Sequence, residues 1–313
     1  QWFVQNLNYA VEEGSLCYDR EEDNCKVYGS VTSSASNAGG LASYIYQTDA
    51  AGKPGTVSNC SFNGNVTATS YAGGLIGYTY RTILDNCETT GRINSTASQI
   101  GGFIGYQYYG KVKNCHSNMS VSGASSVGGI SGRADYDFEM VDTYFDGTIQ
   151  TTGGNVGGLV GYTNCGSNDE SMRFTRCHAK WDSDNTISGS QIGGLIGCLY
   201  TYNFYATDCY AECNLKSNSG YLGGLVGYEA YARVQHLDNC YFKGNIESNG
   251  QYIGGLMGDN CNYGDYVMNN CYVVCDYLIG NSYVGGLIGY GGFNINNCLV
   301  DVKMINKQRK NCF

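Results

Sequence analysis

The sequence predicts an all-β fold, a parallel β-solenoid of about nine coils, each 27–36 residues long and wound right-handed. A Gly-Gly motif recurs along the chain, and a Cys precedes nearly every copy by 13–16 residues. Apolar and polar residues alternate between these landmarks, and a period of two indicates strands. No single coil can bury its apolar face alone, so the coils are expected to stack. We expect residues 1–23 to form an N-terminal cap or assembly segment, 24–304 the solenoid, and 305–313 a C-terminal tail.

The glycine motif is clearest in Tyr71–Tyr78, which reads YAGGLIGY. Two mostly apolar residues follow the Gly pair, and usually a third Gly. Because glycine permits bends and close backbone approach, we expect each motif to turn a corner while its apolar residues plug the core. The first Gly of the pair stands at 39, 73, 101, 128, 157, 193, 223, 254 and 285, with a degenerate copy at 39. The predicted interior column is Leu75, Phe103, Leu159, Leu195, Leu225, Leu256 and Leu287.

A second column of repeated residues is predicted at the cysteine position. Reduced Cys behaves as a small buried hydrophobe, and buried thiols are favoured here over consecutive disulfides. Thr143 takes the Cys position in one coil. An Asn usually stands directly before the Cys, and we expect it in a buried turn, bonded to the backbone and to its neighbours. The column consists of Cys25, Cys60, Cys87, Cys115, Cys177, Cys209, Cys240, Cys271 and Cys298.

These repeated residues resemble the GLUG-motif repeat family, whose pattern is Gly, Leu, an aliphatic residue and Gly. The resemblance extends over roughly residues 24–304, with copies such as GGLIG at 73, 193 and 285. It implies an extracellular β-solenoid of the kind found in bacterial cell-surface and secreted, adhesin-like proteins. It supplies no catalytic residues to this chain, whose Cys content is heavier than the usual pattern of the family.

Composition excludes several classes of partner. The net charge of −9 opposes nucleic-acid binding, which requires a basic surface. No apolar run approaches the roughly 18 residues that a membrane span needs. The sequence begins at Gln1 with no initiator Met and no signal-peptide pattern, which fits a processed secreted protein or an excised fragment. An extracellular or cell-surface location is therefore expected.

Clustered carboxylates on one face are the catalytic residues of the β-solenoids that act as polysaccharide lyases or hydrolases. None of the candidate acids recurs in neighbouring coils beside a basic partner, so solvated loop acids are the favoured interpretation. His116 and His178 directly follow the Cys position and should point outward, which opposes a Cys-His dyad. We predict no enzyme activity and assign no catalytic residue, cofactor or metal ligand. The acids considered are Asp135, Asp137, Asp142, Asp146, Asp182 and Asp184.

Two tyrosine columns are the strongest candidates for contact with glycans or proteins. Each occupies a repeat position that should face outward in the same three coils. Aromatic rings in a row can stack on a ligand, whereas the alternative is an aromatic ladder that only stabilises strand pairing. The first column is Tyr210, Tyr241 and Tyr272, and the second is Tyr221, Tyr252 and Tyr283.

Two covalent modifications are also predicted. Seven cysteines lie outside the column, and among them Cys165 and Cys198 are a candidate disulfide. Of four N-x-S/T sequons, that at Asn59 falls in the presumed buried Asn column and should stay bare. The candidate glycosylation sites are Asn65, Asn94 and Asn118.

The expected function is that of an extracellular or cell-surface structural or adhesive solenoid. Its partners would be other copies of itself, surface glycans or surface proteins. A variant is the subunit of a head-to-tail filament, because the tenth coil, from Cys298, lacks a glycine motif. The alternative is a polysaccharide-binding or polysaccharide-active solenoid enzyme.

Overall fold

The computed structural model describes residues 3–4, 9–10, 21–34, 36–46, 53–167, 170–182, 189–218, 220–260 and 264–305. These residues form parallel strands arranged in three sheets. They contain no helix, and so none long and apolar enough to cross a membrane. The predicted parallel β-solenoid is therefore confirmed, while the sense of its winding stays a prediction.

Each sheet runs along the stack and takes one or two strands from each coil. Sheet A begins just after the Cys position, and its strands are Phe3–Val4, Tyr9–Ala10, Lys26–Ser33, Ser61–Ala68, Glu88–Ser95, His116–Gly123, Tyr144–Thr151, His178–Asp182, Tyr210–Ser217, Tyr241–Lys243, Ile246–Ser248, Tyr272–Ile279 and Leu299–Ile305. Sheet C holds the start of the glycine motif, in the strands Ala38–Gly39, Ala72–Gly73, Ser98–Gly101, Ser125–Gly128, Asn155–Gly157, Gln191–Gly193, Tyr221–Gly223, Gln251–Gly254 and Ser282–Gly285.

Sheet B connects the glycine motif to the next Cys. Its strands are Glu21–Asp23, Ala42–Tyr46, Gly55–Ser58, Ile76–Asp85, Ile104–Lys113, Ser131–Val141, Val160–Cys165, Ser171–Thr175, Ile196–Thr201, Asn203–Thr207, Val226–Glu229, Val234–Asp238, Met257–Asn260, Asp265–Asn269, Ile288–Tyr290 and Asn294–Asn296. The nine strands of sheet C are separated by eight steps, so eight full turns lie between the first and the last.

The glycine motif makes the predicted corner through close approach. A Cβ on Gly102 would lie only 2.0 Å from the Gly129 carbonyl oxygen of the next coil, and one on Gly101 would lie 2.1 Å from the Ile104 oxygen. Neither glycine has a positive φ, so contact distance alone requires glycine there. The plug residues from Leu75 to Leu256 are buried, and Leu287 in the last coil is half-buried.

The cysteine column lies inside the stack from Cys60 to Cys271, as predicted, while its end members Cys25 and Cys298 are half-buried. Cys60, Cys87 and Cys115 are at most 3% exposed, and each is a thiol in the structure. The Cys115 thiol donates to the Lys113 carbonyl at 3.1 Å. The Thr143 hydroxyl donates to the Val141 carbonyl at 2.9 Å, which explains why Thr replaces Cys without an unsatisfied polar group.

The Asn column does not lie in a buried turn, and that prediction is wrong. These residues are exposed and have φ values of 51–56°, so they occupy the left-handed region, which Asn tolerates better than most residues. Their amides form a ladder on the surface, with Asn86 donating to Asn59 at 2.7 Å and Asn270 to Asn239 at 3.2 Å. The members are Asn24, Asn59, Asn86, Asn114, Asn239, Asn270 and Asn297.

Two short strands stand at the N-terminal edge of sheet A. Phe3–Val4 pairs with Lys26 and Val27, and Tyr9–Ala10 pairs with Val31 and Thr32. Both therefore add to the first strand of the repeat region.

Candidate functional site

The first predicted tyrosine column exists as a stack of rings on the outer face of sheet A. Tyr210 and Tyr241 lie 4.5 Å apart between ring centroids, and Tyr241 and Tyr272 lie 4.7 Å apart, with interplanar angles of 6° and 7°. Sequence reasoning identified these three rings as a column. The stack continues through His178 and Tyr144 to His116, at centroid separations of 4.1–4.8 Å.

Strand register explains this stack. Equivalent residues pair directly between coils, as Tyr210 does with Tyr241. The next residue along each strand is buried, for example Ala211 and Phe242, so the ring points outward. Because the rings are nearly parallel and in contact, each inner ring has both faces covered by its neighbours.

Polar and charged side chains beside the first column contact its rings and their hydroxyl groups. The Tyr241 hydroxyl donates to Glu212 at 3.0 Å, and Lys180 pairs with Glu212 at 3.4 Å. Lys180 also lies 5.6 Å from the centroid of the Tyr210 ring. Burial lowers the pKa of His178 within the stack, which favours its neutral form. The column presents ring edges and phenol oxygens to a ligand.

The second predicted column lies on sheet C. Tyr221, Tyr252 and Tyr283 stack at 4.9 Å and 4.8 Å, with interplanar angles of 9° and 6°. Tyr228 lies 4.8 Å from Tyr221, and Tyr290 lies 5.4 Å from Tyr283. The two predicted columns belong to different sheets, so the structure does not bring their residues into one site.

A larger aromatic surface, which sequence reasoning missed, lies on the outer side of sheet B in the first coils. Nine half-buried tyrosines form it, and we call it the tyrosine platform. Two parallel columns make its centre, and residues from neighbouring bends flank them. The platform consists of Tyr44, Tyr46, Tyr71, Tyr78, Tyr80, Tyr106, Tyr108, Tyr109 and Tyr136. Its signal in the sequence is the Tyr that follows the glycine motif at 44, 78 and 106, with a second Tyr two residues later.

The platform rings do not form one uniform stack. Tyr44 and Tyr78 are stacked at 4.8 Å, but Tyr106 stands at 88° to Tyr78. Tyr109 stands at 83° to Tyr80. Burial, with smaller contributions from the neighbouring phenols, raises the pKa of Tyr78 to about 12.

A charged pair anchors one edge of the platform. Arg133 donates to both oxygens of Asp135, at 2.7–3.0 Å, and the Tyr106 hydroxyl donates to the same carboxylate at 2.7 Å. The guanidinium lies 4.9 Å from the Tyr106 ring centroid and 5.1 Å from that of Tyr162. Burial raises the pKa of Asp135, and the bonds from Arg133 and Tyr106 oppose that shift. This network holds the Tyr106 ring in position.

Three of the other candidate acids lie beside a local partner. Asp137 accepts the Ser171 backbone N–H at 2.7 Å, and Asp142 pairs with Arg176 at 2.6 Å. Asp146 lies 3.9 Å from His116. Asp184 and the side chain of Asp182 lie outside the described residues. Within the described part of the chain, no group of three or more His, Cys, Asp or Glu could hold a metal ion.

The candidate disulfide is not formed in the structure. Cys165 and Cys198 are both buried thiols, and the Cys165 thiol donates to the Tyr136 carbonyl at 2.7 Å. Cys198 pairs in register with Tyr162, whereas Cys165 pairs with Thr201. An offset of three residues along a strand is about 10 Å, which exceeds the reach of a disulfide.

The candidate glycosylation sites share one face. Asn65, Asn94 and Asn118 are exposed on the outer side of sheet A in three consecutive coils. Asn59 is exposed as well, so burial does not keep its sequon bare. Its side-chain N–H instead donates to Asp23 at 2.8 Å.

Comparison with known proteins agrees with this architecture. The family model described as the GLUG motif matches residues 34–67 and 96–122. A curated relative, named Halomucin, from Haloquadratum walsbyi (strain DSM 16790 / HBSQ001), is 32% identical over 200 residues. The match covers 63% of this chain but 2% of the relative, so the chain spans a very small part of that protein's length. No solved structure matches the chain. The protein is thus a parallel β-solenoid that carries the GLUG motif.

Proposed function

We propose that this chain is an extracellular or cell-surface structural rod that adheres through its outer faces. The observation that carries the proposal is the set of aromatic columns repeated from coil to coil on a rigid parallel scaffold. Contacts that recur at each coil add together, so individually weak contacts give firm attachment. The GLUG motif and the likeness to a relative whose name denotes a mucin support a surface location.

Its partners are surface glycans, surface proteins or other copies of the chain. Neutral polar residues and tyrosines dominate its outer faces, which suits such contacts better than binding to a strongly charged polymer. Glycans at Asn65, Asn94 and Asn118 would cover sheet A in the early coils. They would leave the ring column on the same sheet open in the later coils.

A head-to-tail filament is the second form of this proposal. In the last described coil, Ile295 and Val300 are 47% and 39% exposed, although their partners one coil earlier, Met268 and Val273, are fully buried. Strands of a second copy would cover these residues and extend the interior columns.

An enzyme acting on polysaccharides is the alternative function. A shallow cleft on sheet B contains Asp137 and Glu139, together with Ser171 and Arg173. Glu139 is paired with Lys111 at 2.8 Å, and Asp137 accepts a backbone N–H. Because both carboxylates are engaged in local contacts, we assign neither a catalytic role.

Adhesion of coated beads tests the proposal. Beads carrying the chain are passed over surfaces that bear polysaccharides, surface proteins or the chain itself, and the same polysaccharides are assayed in solution for cleavage products. We expect bead retention without released products. Cleavage products would favour the enzyme, and beads that are retained on no surface would contradict the adhesive function.

A further inference from the structure

The tyrosine platform differs from the two predicted columns in how its rings are turned. In the columns, interplanar angles of 3–9° over the tyrosine stacks leave little but ring edges exposed. In the platform, Tyr106 stands at 88° to Tyr78, and Tyr109 at 73° to Tyr108. A ring perpendicular to its neighbour no longer covers that neighbour face to face. The platform therefore presents rings in two orientations, stacked in the column of Tyr46, Tyr80 and Tyr108 and turned across that column at Tyr106 and Tyr109.

The platform is also continuous in two directions. Along the solenoid axis, Tyr46, Tyr80 and Tyr108 follow one another at 4.9 Å and 5.4 Å. Across the strands, Tyr44 and Tyr46 lie 6.2 Å apart, and Tyr106 and Tyr108 lie 6.3 Å apart. Three coil steps of about 4.8 Å give it a length of about 14 Å, which suits an extended chain of linked rings.

Two salt bridges and one hydrogen bond from a phenol to a carboxylate lie around the platform. Lys111 pairs with Glu139 and Arg133 with Asp135, and the Tyr109 hydroxyl donates to Glu170 at 3.3 Å. Arg81 lies over the rings of Tyr80 and Tyr109, at 5.5 Å and 5.3 Å from their centroids. An ionic ligand would have to break such pairs, whereas a neutral ligand can use the same groups as hydrogen-bond donors and acceptors.

We propose that the tyrosine platform binds an extended neutral polysaccharide. Sugar rings lie along the half-buried edges of Tyr80 and Tyr108 and against the turned rings of Tyr106 and Tyr109 beside them, while sugar hydroxyls bond to the phenols and to the charged groups at the rim. This inference rests on the proposed adhesive function, and it names the site and the class of ligand. A protein partner or a second copy on the same surface is an alternative that the test separates.

Affinity electrophoresis in native gels is the test, with hydroxyethylcellulose as the neutral probe and alginate as the anionic probe. We expect hydroxyethylcellulose to retard the wild-type chain, and the double variant Tyr80→Ala/Tyr108→Ala to bind at least about tenfold more weakly. Tyr80→Phe/Tyr108→Phe should retain binding, because it keeps the rings. The matched control is Tyr200→Ala/Tyr231→Ala, which removes a stacked pair of another coil, with centroids 5.4 Å apart.

Three results would overturn the inference. They are retardation by alginate alone, equal retardation of the Tyr80/Tyr108 and Tyr200/Tyr231 alanine variants, and self-association that only the Tyr80/Tyr108 alanine variant loses. The bead experiment separates this failure from that of the proposed function. If the beads are retained but the platform substitutions do not change retardation in the gel, the platform is not the binding site, and the proposed adhesive function still stands.

A footprint on the wild-type chain makes the test independent of how the variants fold. Tetranitromethane nitrates accessible phenols, and mass mapping locates the modified tyrosines. With hydroxyethylcellulose present, we expect Tyr80 and Tyr108 to be protected while Tyr231, which is 48% exposed, is not. Unchanged nitration of Tyr80 and Tyr108 in a sample that binds the polymer would contradict the proposal.

Discussion

At the scale of one residue, Gly194 illustrates why the repeated glycine motif needs glycine. A Cβ at this position would lie 2.0 Å from the Gly224 carbonyl oxygen of the next coil and 2.5 Å from the Ala211 Cβ. The backbone of one coil occupies the place that a side chain would need. The apolar residue that follows, Leu195, is 2% exposed. The residue that forms the corner thus directly precedes the residue that fills the core.

Replacing Gly194 with Ala should therefore destabilise the solenoid. The added methyl group forces two coils apart in a packed interior, at a cost on the order of 3 kcal/mol. Urea unfolding should show a lower midpoint. Gly166→Ala is the matched control, because a Cβ there meets nothing within 4 Å. Equal midpoints for the two variants would contradict the account of the corner.

At the scale of the element, parallel register turns each repeat position into a column. Ile93 pairs with Val66 on one side and Val121 on the other, and the outward rings follow the same rule. The column then alters the chemistry of its members. Hydrogen bonding to the Cys115 thiol, with burial, raises the pKa of Cys87 to about 12. The Cys87 thiol is thus held in its unreactive, protonated form.

Alkylation should reveal this protection of the cysteine column. In native protein at pH 8, we expect iodoacetamide to leave Cys60, Cys87 and Cys115 unmodified, because all three are buried. After denaturation without a reducing agent, all three should be modified, as mass mapping can show. Peptides linked through these cysteines would instead show that disulfides cross-link the column.

Tyr78 of the tyrosine platform should titrate late, and the chain should lose stability at high pH. The folded-state pKa of Tyr78 is about 12, above its ordinary value of 10.0. A raised folded-state pKa means that stability is complete below pH 10 and is lost as the pH rises through 12. We expect the Tm to fall over this range, and Tyr78→Phe, which cannot ionise, to show a smaller fall. A Tm profile identical to that of the wild type would refute the assignment.

At the scale of the whole molecule, the two ends of the described stack differ. Short N-terminal strands add to the first repeat strand of sheet A. In the last described coil the exposed large apolar side chains are Tyr283, Tyr290, Ile295, Leu299 and Val300. In the filament form of the proposed function, a second copy in the same register would cover this apolar surface.

Deletion of residues 1–23 tests assembly at this scale. We expect light scattering to show wild-type particles larger than a monomer, and the deletion to change their size because one end of the contact is altered. Urea unfolding of the shortened chain serves as the control for folding. Monomer-sized particles before and after deletion would exclude the filament and leave the single rod.

The sequence by itself determined the repeated features of this protein. The interior place of Cys87, the corner at Gly194 and the outward direction of Tyr241 follow from a period of two combined with a repeat. A residue that returns once in each coil must stack on its equivalents, whatever the details of the turns. These inferences depend only on the local backbone geometry, which is the same within each repeat.

Only the tertiary structure decided which of these repeated positions are exposed and which contacts they make with neighbouring coils. The Asn column is exposed because its members turn the chain in the left-handed region just outside the core. The platform depends on Tyr109 and Tyr136, whose φ values of 54° and 64° place bend residues beside strand residues of other coils. Cys165 and Cys198 remain apart because straight strands preserve their offset of three residues. The orientation of each ring and its neighbours across the strands depend on contacts between different coils. The spacing of residues within one coil therefore does not specify them.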